Sequence, residues 1–365
     1  MNDEKKIPEA SGSRPAATRP DAPKPGGAGR RVQRVSAESL VHSGPLRAEG
    51  PLPLLVEPGM PGVDIAAWAA TNRERIERDL LAHGAILFRG FQVDSVEKFE
   101  RLILAVGGPL LEYTFGSTPR SHVSGNVYTS TEYPAHQEIP LHNEMSYSQD
   151  WPLKIWFLCL QPSPEGGETP LGDSRNVFRR LDPAVRSRFI DRKILYVRNY
   201  GEGLDVPWQK VFETSDRARV EELCREHGVE CEWLGGDRLR TRELCPAVAR
   251  HPVTGEEVWF NQAHLFHVSG LPPEGREALL GMFEEKDLPR NAYYGDGSPI
   301  EEDALEHVRE VLRSETVAFP WGAGDLLLVD NMLTAHGRRP FSGPRRIVVG
   351  MTESHGTRKA GAAAG

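Results

Sequence analysis

Apolar positions along the chain follow two kinds of pattern, each predicting different elements. Over residues 65–83 they recur at helical spacing. Asp64 is placed to cap the start and Gly84 to end the run, so one helix is expected there. Ala85-Ile86-Leu87-Phe88-Arg89-Gly90-Phe91 reads as a buried strand. Ser95 then precedes a second helical stretch, 96–106, closed by Gly107-Gly108. These pieces set a helical flank beside a sheet.

From Asn126 onward the pattern changes to short apolar runs separated by turns, at 154–160, 194–199, 247–251, 258–261, 316–319, 326–329 and 346–351. Many of their residues are β-branched or aromatic, as strands prefer. Glu165-Gly166-Gly167-Glu168 and Gly322-Ala323-Gly324-Asp325 are turn signals. Residues 216–226 and 273–284 read as helices. The chain shows no internal repeat. The expected fold class is mainly β with flanking helices. Long-range pairing of the strands implies a jelly-roll barrel, a double-stranded β-helix, with a helical insertion at about 205–300.

Composition narrows this picture without changing it. The 365 residues are 39% hydrophobic and 26% charged, as in ordinary soluble globular proteins. A net charge of −8 argues against general affinity for nucleic acid or anionic membrane. No apolar run approaches the ~20 residues of a membrane span. No apolar segment follows the N-terminal charges, so a signal peptide is not expected. Residues 1–35 are rich in Pro, Gly, Ala, Lys and Arg and are expected to be a disordered tail. Residues 356–365 are expected to be flexible, leaving 36–355 as a single domain. Cys159, Cys224, Cys231 and Cys245 form no CxxC pair and match no disulfide scaffold or zinc knuckle. They read as reduced structural thiols of a cytoplasmic protein.

The candidate chemistry lies in Leu141-His142-Asn143-Glu144-Met145-Ser146-Tyr147 and in Asp330-Asn331-Met332-Leu333-Thr334-Ala335-His336-Gly337-Arg338. His142 and Glu144 are two positions apart, so on an extended segment they point to one side. His336, after the apolar run 326–329, offers a third ligand from a distant strand. Two imidazoles and one carboxylate occupy one face of an iron ion and leave the other open, the arrangement of non-haem Fe(II) oxygenases. A lone HxE arises often by chance; its surroundings give it weight.

Those surroundings resemble the taurine dioxygenase/TfdA (TauD/TfdA) family of Fe(II)- and 2-oxoglutarate-dependent oxygenases. The resemblance rests on Phe88-Arg89-Gly90-Phe91, His142-x-Glu144, Gly166-Gly167-Glu168-Thr169, His336-Gly337-Arg338 and Gly343-Pro344-Arg345-Arg346, in that order, and covers about residues 50–355. The phrase His142-Asn143-Glu144-Met145-Ser146-Tyr147 resembles the branch of SyrP-like hydroxylases of peptide natural-product pathways. Glu144 stands where many members carry Asp, as in the clavaminate synthase-like branch. A carboxylate there argues against halogenases, which carry Ala or Gly.

The resemblance implies a cupin-like fold and Fe(II) held by His142, Glu144 and His336. It also implies 2-oxoglutarate and O2 as co-substrates, with hydroxylation of a substrate C–H and release of succinate and CO2. Thr169 is implied as a contact to 2-oxoglutarate. An arginine fork suits the far carboxylate of that co-substrate. Arg345 and Arg346 are the candidates, and Arg345, two positions before Ile347, fits the family pattern better. Arg338 either pairs with a carboxylate in the site or braces its strand. Tyr128, Asn143, Asn261 and His264 are candidate substrate contacts. His264 and His267 form an HxxH without a fitting third ligand, which favours structural or lining roles. Residues 291–297 have the composition of a mobile lid.

The expected substrate is a small molecule, an amino acid free or tethered to a carrier protein. Desaturation or cyclisation would share the same first step. The competing classes are a non-catalytic cupin-like binding protein and a zinc hydrolase. The arginine and threonine anchors disfavour the first, and the absence of HExxH disfavours the second.

Overall fold

Asp64 caps the first helix as expected, its Oδ1 accepting from the amides of Ala66 and Ala67. The helix does not continue to 83, however. It stops at Ile65–Thr71 and restarts as Arg73–His83. The Thr71 hydroxyl and the Asn72 amide both donate to the carbonyl of Trp68, at 2.9 and 2.8 Å. Short polar side chains that bond back in this way compete with the helical ladder. Gly84 ends the second piece at φ 77, and Ser95 caps Val96–Val106, both as expected.

The computed structural model describes residues 40–48, 50–112, 121–130, 133–201 and 206–356, all within the unit Ala37–Gly365. The N-terminal tail expected at 1–35 and the C-terminal segment 357–365 lie outside the described residues.

An eight-stranded sheet dominates the fold. In spatial order it runs Val41–Arg47, Gly50–Pro58, Ala85–Phe88, Leu326–Asp330, Asp150–Gln161, Arg346–Gly356, Val127–Thr129 and His122–Ser124. Its central strands are buried on both faces, which is why Leu326–Val329 is a continuous apolar run. Alternate residues divide cleanly. Ile86, Phe88, Trp156, Leu158 and Leu328 pack against Phe99, Leu102 and Ile103 of the helical flank. Leu87, Ile155, Phe157, Leu327 and Val349 face the other way, onto Leu171 and Phe319. Each such side chain contributes about 1.5–3 kcal/mol when fully buried.

A three-stranded sheet of Ile139–His142, Thr334–Arg338 and Leu171–Asp173 carries two of the candidate ligands. Mainly β with flanking helices is therefore correct, but the described strands form separate sheets and do not close into a barrel. His336 does not extend the run 326–329. Residues 331–333 carry the chain from the large sheet to the small one, where Thr334–Arg338 begins. Asp330 fixes that crossing, its Oδ1 accepting from the amides of Met332 and Leu333.

The segment expected as a helical insertion contains strands as well as helices. Ile194–Tyr200, Leu239–Cys245, Glu230–Trp233 and Arg290–Tyr294 form a four-stranded sheet. Residues 291–294 are thus part of a strand, with Asn291, Ala292 and Tyr294 buried, and not a lid. Residues 316–319 form no strand; Val317 makes one isolated bridge to Leu171. Among the described residues no helix is long and apolar enough to cross a membrane, and the four cysteines are all free thiols.

Candidate metal centre and adjoining cavities

His142 ends its strand and stands directly opposite His336 in the antiparallel pair, their ring centroids 4.6 Å apart. Glu144 lies in the turn that follows, not on the strand. Met145 at φ 56 and a bond from the Ser146 amide to the Asn143 carbonyl mark that turn. Its carboxylate Oε2 is 3.8 Å from His336 Nε2. One ligand atom from each of His142, Glu144 and His336 lies within 4.8 Å of the others, so the three can hold one metal ion. His142 Nδ1 is 2.9 Å from the Pro140 carbonyl. A carbonyl only accepts, so Nδ1 carries the hydrogen and Nε2 presents its lone pair. Phe157 meets the His336 ring edge-on at 5.3 Å.

Asn331, fully buried, holds the glutamate turn in place. Its Oδ1 accepts from the Glu144 amide at 2.7 Å. Its Nδ2 donates to the carbonyls of Glu144 and Pro152, both at 2.9 Å. His251 supports the same crossing, donating from Nε2 to Asp330 at 3.1 Å within a buried pair. Asn331 stood in the segment of candidate ligand His336 without a role of its own, and His251 closed the apolar run 247–251 with no sign of this contact.

A cavity beside the two histidines is lined by Thr169, Arg345, Ser130 and Val349 as well. Arg345 donates to the Gly167 carbonyl at 2.9 Å and to the Ser130 hydroxyl at 3.2 Å. No carboxylate lies within ion-pair distance of it among the described residues. Burial, with the Arg338 cation nearby, pushes its guanidinium down to about 10. A cation in that position gains from a ligand anion. Arg346 is exposed and is not among the residues that line this cavity. The Thr169 hydroxyl accepts from the Trp321 indole at 3.2 Å, which leaves its hydrogen to donate into the cavity. The glycine pair before it reflects close packing at positive φ. A Cβ on Gly166 would run into the Pro340 carbonyl, and one on Gly167 would lie 3.0 Å from the Arg345 side chain.

Several residues expected to contact substrate direct their polar groups to the protein itself. The Asn143 amide donates to Ser174 at 3.0 Å and to the Asn331 carbonyl at 2.7 Å, bracing the turn. Asn261 bonds the Ala247 carbonyl and accepts from the Ala263 amide. His264 donates from Nε2 to the Leu141 carbonyl at 2.9 Å. Burial pushes it down to about 3, so it stays neutral. Arg338 reaches the carbonyls of Tyr133, Pro134 and Gln137 with its two terminal nitrogens, and it also lines the cavity beside the two histidines. Tyr128 is buried, its ring 4.6 Å from that of His122.

On the far side of His142 and Glu144 lies a larger cavity of ≈ 700 Å³, within the range of about 300–1,000 Å³ typical of ligand sites. Tyr147, Phe266 and Leu265 supply its apolar wall, and Gln262, Arg290 and Arg309 its polar groups.

Two imidazoles and a carboxylate that can hold one metal ion, beside a buried arginine, are the donor set that suits a non-haem iron oxygenase. The chain belongs to the taurine catabolism dioxygenase TauD, TfdA family, whose model matches residues 49–352. It is 40% identical over 278 residues to the dapdiamide synthesis protein DdaC of Enterobacter agglomerans, covering 76% of this chain and 84% of that one. It is 32% identical over 321 residues to a clavaminate synthase-like protein of Arabidopsis thaliana, covering 82% and 93%. In fold it is similar to PvcB, described as an Fe, alpha-ketoglutarate dependent oxygenase from an isonitrile synthetic pathway. The TM-score there is 0.51, at 19% identity over 85% of this chain and 90% of that one. The protein is an Fe(II)- and 2-oxoglutarate-dependent dioxygenase.

Proposed function

We propose that His142, Glu144 and His336 hold the iron, and that Arg345 and Thr169 anchor the far carboxylate of 2-oxoglutarate. The substrate then occupies the ≈ 700 Å³ cavity and is hydroxylated at an unactivated C–H. The observation that carries this reading is the meeting of the three candidate ligands with Arg345 across one small cavity. Bound iron supplies O2 activation coupled to decarboxylation of 2-oxoglutarate. The overall balance is one C–H, one O2 and one 2-oxoglutarate giving one C–OH, succinate and CO2. The protein's own residues fix geometry: Pro140 sets the tautomer of His142, Asn331 sets the Glu144 turn, and Trp321 orients Thr169. In this reading the large and three-stranded sheets are the two faces of an open double-stranded β-helix. Arg346 takes no part.

The substrate we propose is amino-acid-derived and belongs to natural-product biosynthesis in the cytoplasm. The similarity to a dapdiamide synthesis protein supports this. The test supplies purified protein anaerobically with Fe(II) and 2-oxoglutarate, then O2 and a panel of amino acids, free and carrier-bound. Oxygen-dependent succinate and a product one oxygen heavier are expected. A product lighter by two hydrogens would mean desaturation or cyclisation. His142→Ala should abolish iron binding and turnover together. Succinate formation in no case, or full activity in that variant, overturns the reading.

A further inference from the structure

One charged group lining the large cavity is set apart, being partly buried and without a polar partner among the described residues. Glu144 belongs to the candidate metal set. Arg309 pairs with Glu306 at 3.2 Å, a carboxylate it shares with Arg313, and its other nitrogens bond the His264 carbonyl and the Ser269 hydroxyl, so its donors are engaged. Glu138 is exposed. Arg290 remains. It is half-buried, and its guanidinium carbon lies 5.7 Å from the Phe266 ring centroid. It makes no ion pair or hydrogen bond among the described residues.

The sheet beneath it sharpens the imbalance. Arg290 opens the strand Arg290–Tyr294 and stands directly opposite Arg198 on the neighbouring strand. Like charges at opposed positions are unfavourable unless something offsets them. Arg198 has Glu243 nearby, whose carboxyl it helps to ionise. Among the described residues Arg290 has no such carboxylate. The sheet therefore presents one uncompensated cation, supported on an aromatic ring, to the space that also opens on His142 and Glu144.

We propose that Arg290 is the specificity-determining residue for a substrate carboxylate. The C–H to be oxidised faces His142 and Glu144 while the acid group is held by the Arg290 fork. This rests on the function proposed above and narrows it. The substrate is a carboxylic acid in its bound form. A substrate tethered to a carrier through its only carboxyl group has no anion to offer Arg290.

The test uses pairs of N-acetyl amino acids and their primary amides, spanning acidic, aliphatic and aromatic side chains. Binding to the Fe(II)- and 2-oxoglutarate-loaded protein is measured anaerobically by calorimetry, and succinate production is measured in parallel with O2. Acids should bind, with their amides roughly 10–100-fold weaker, the loss of a charge-assisted pair. Arg290→Gln should bring the acids down to the level of the amides, and Arg290→Lys should restore part of the difference. The visible charge-transfer band of iron chelated by 2-oxoglutarate should persist in both variants, separating lost substrate recognition from a damaged iron site. Equal binding of acids and amides, binding by no acid, or unchanged acid binding in Arg290→Gln overturns the proposal. Acid binding that depends on Arg290 without any succinate from the wild type would overturn the proposed function and leave the carboxylate site standing.

Discussion

Replacing Asn331 with alanine isolates how the candidate carboxylate ligand is held. Asn331 touches no ligand side chain. Its side chain makes three hydrogen bonds, to the Glu144 amide, the Glu144 carbonyl and the Pro152 carbonyl, at 2.7–2.9 Å in a fully buried setting. Deleting the amide leaves one buried N–H and two buried carbonyls short of a partner, each costing about 1–2 kcal/mol, so stability should fall by roughly 3–6 kcal/mol. The turn then loses the clamp that sets the direction of Glu144, and Fe(II) affinity should drop about 10–100-fold. Asn331→Asp separates the two effects. It keeps an acceptor for the Glu144 amide but turns an acceptor toward both carbonyls, so it should also be destabilised. Urea unfolding of the metal-free protein gives the stability change, and anaerobic Fe(II) titration gives the affinity. Asn331→Ala with a stability loss below about 1 kcal/mol and unchanged Fe(II) affinity would refute the clamp.

Arg345→Gln should raise the KM for 2-oxoglutarate roughly 10–150-fold, the loss of about 1.5–3 kcal/mol from a charge-assisted pair. Exposed Arg346→Gln should leave it unchanged, and steady-state kinetics on the two variants distinguishes the arginines. Gly167→Ala forces a Cβ to within 2.5 Å of the Ser163 hydroxyl and 3.0 Å of the Arg345 side chain, at φ +75. It should raise the same KM roughly tenfold by displacing the fork, without loss of Fe(II) binding. Burial pushes the Glu243 carboxyl up to about 7, against hydrogen bonds from Gln149 and Ser148 that favour its ionised form. A carboxyl whose folded pKa is raised binds its proton more tightly when folded, so stability falls as pH rises from the unfolded value toward 7. Glu243→Gln, which mimics the protonated form, should therefore match wild type near pH 4 and exceed it by about 1–3 kcal/mol near pH 8. An equal difference at both pH values in chemical denaturation counts against a buried titration.

The parts of the site that were legible in the sequence are those where chemistry dictates residue type. Iron needs imidazole and carboxylate, so His142, Glu144 and His336 stood out. A backbone approached this closely admits only glycine, so Gly166-Gly167 stood out as well. What stayed hidden was assigned by partners far away in the chain. His264 and Asn261 looked like pocket residues because they are polar beside an apolar run. They spend that polarity on the carbonyls of Leu141 and Ala247. Trp321 carried no signal, since only the fold brings its indole to Thr169. The strands Glu230–Trp233 and Leu239–Cys245 were missed because one face is tied by charges, such as Arg242 to Glu232 at 2.9 Å, and the apolar pattern is diluted. The choice between Arg345 and Arg346 shows where the boundary lies. The family pattern, an apolar residue two positions after the arginine, already paired Arg345 with Ile347. It could not say which side was inward. Ile347 packs in the cluster that contains Phe157 and Val349, and those two residues line the same cavity as His336. Periodicity supplies relative facing for any strand; absolute facing comes only from a neighbour in another part of the chain.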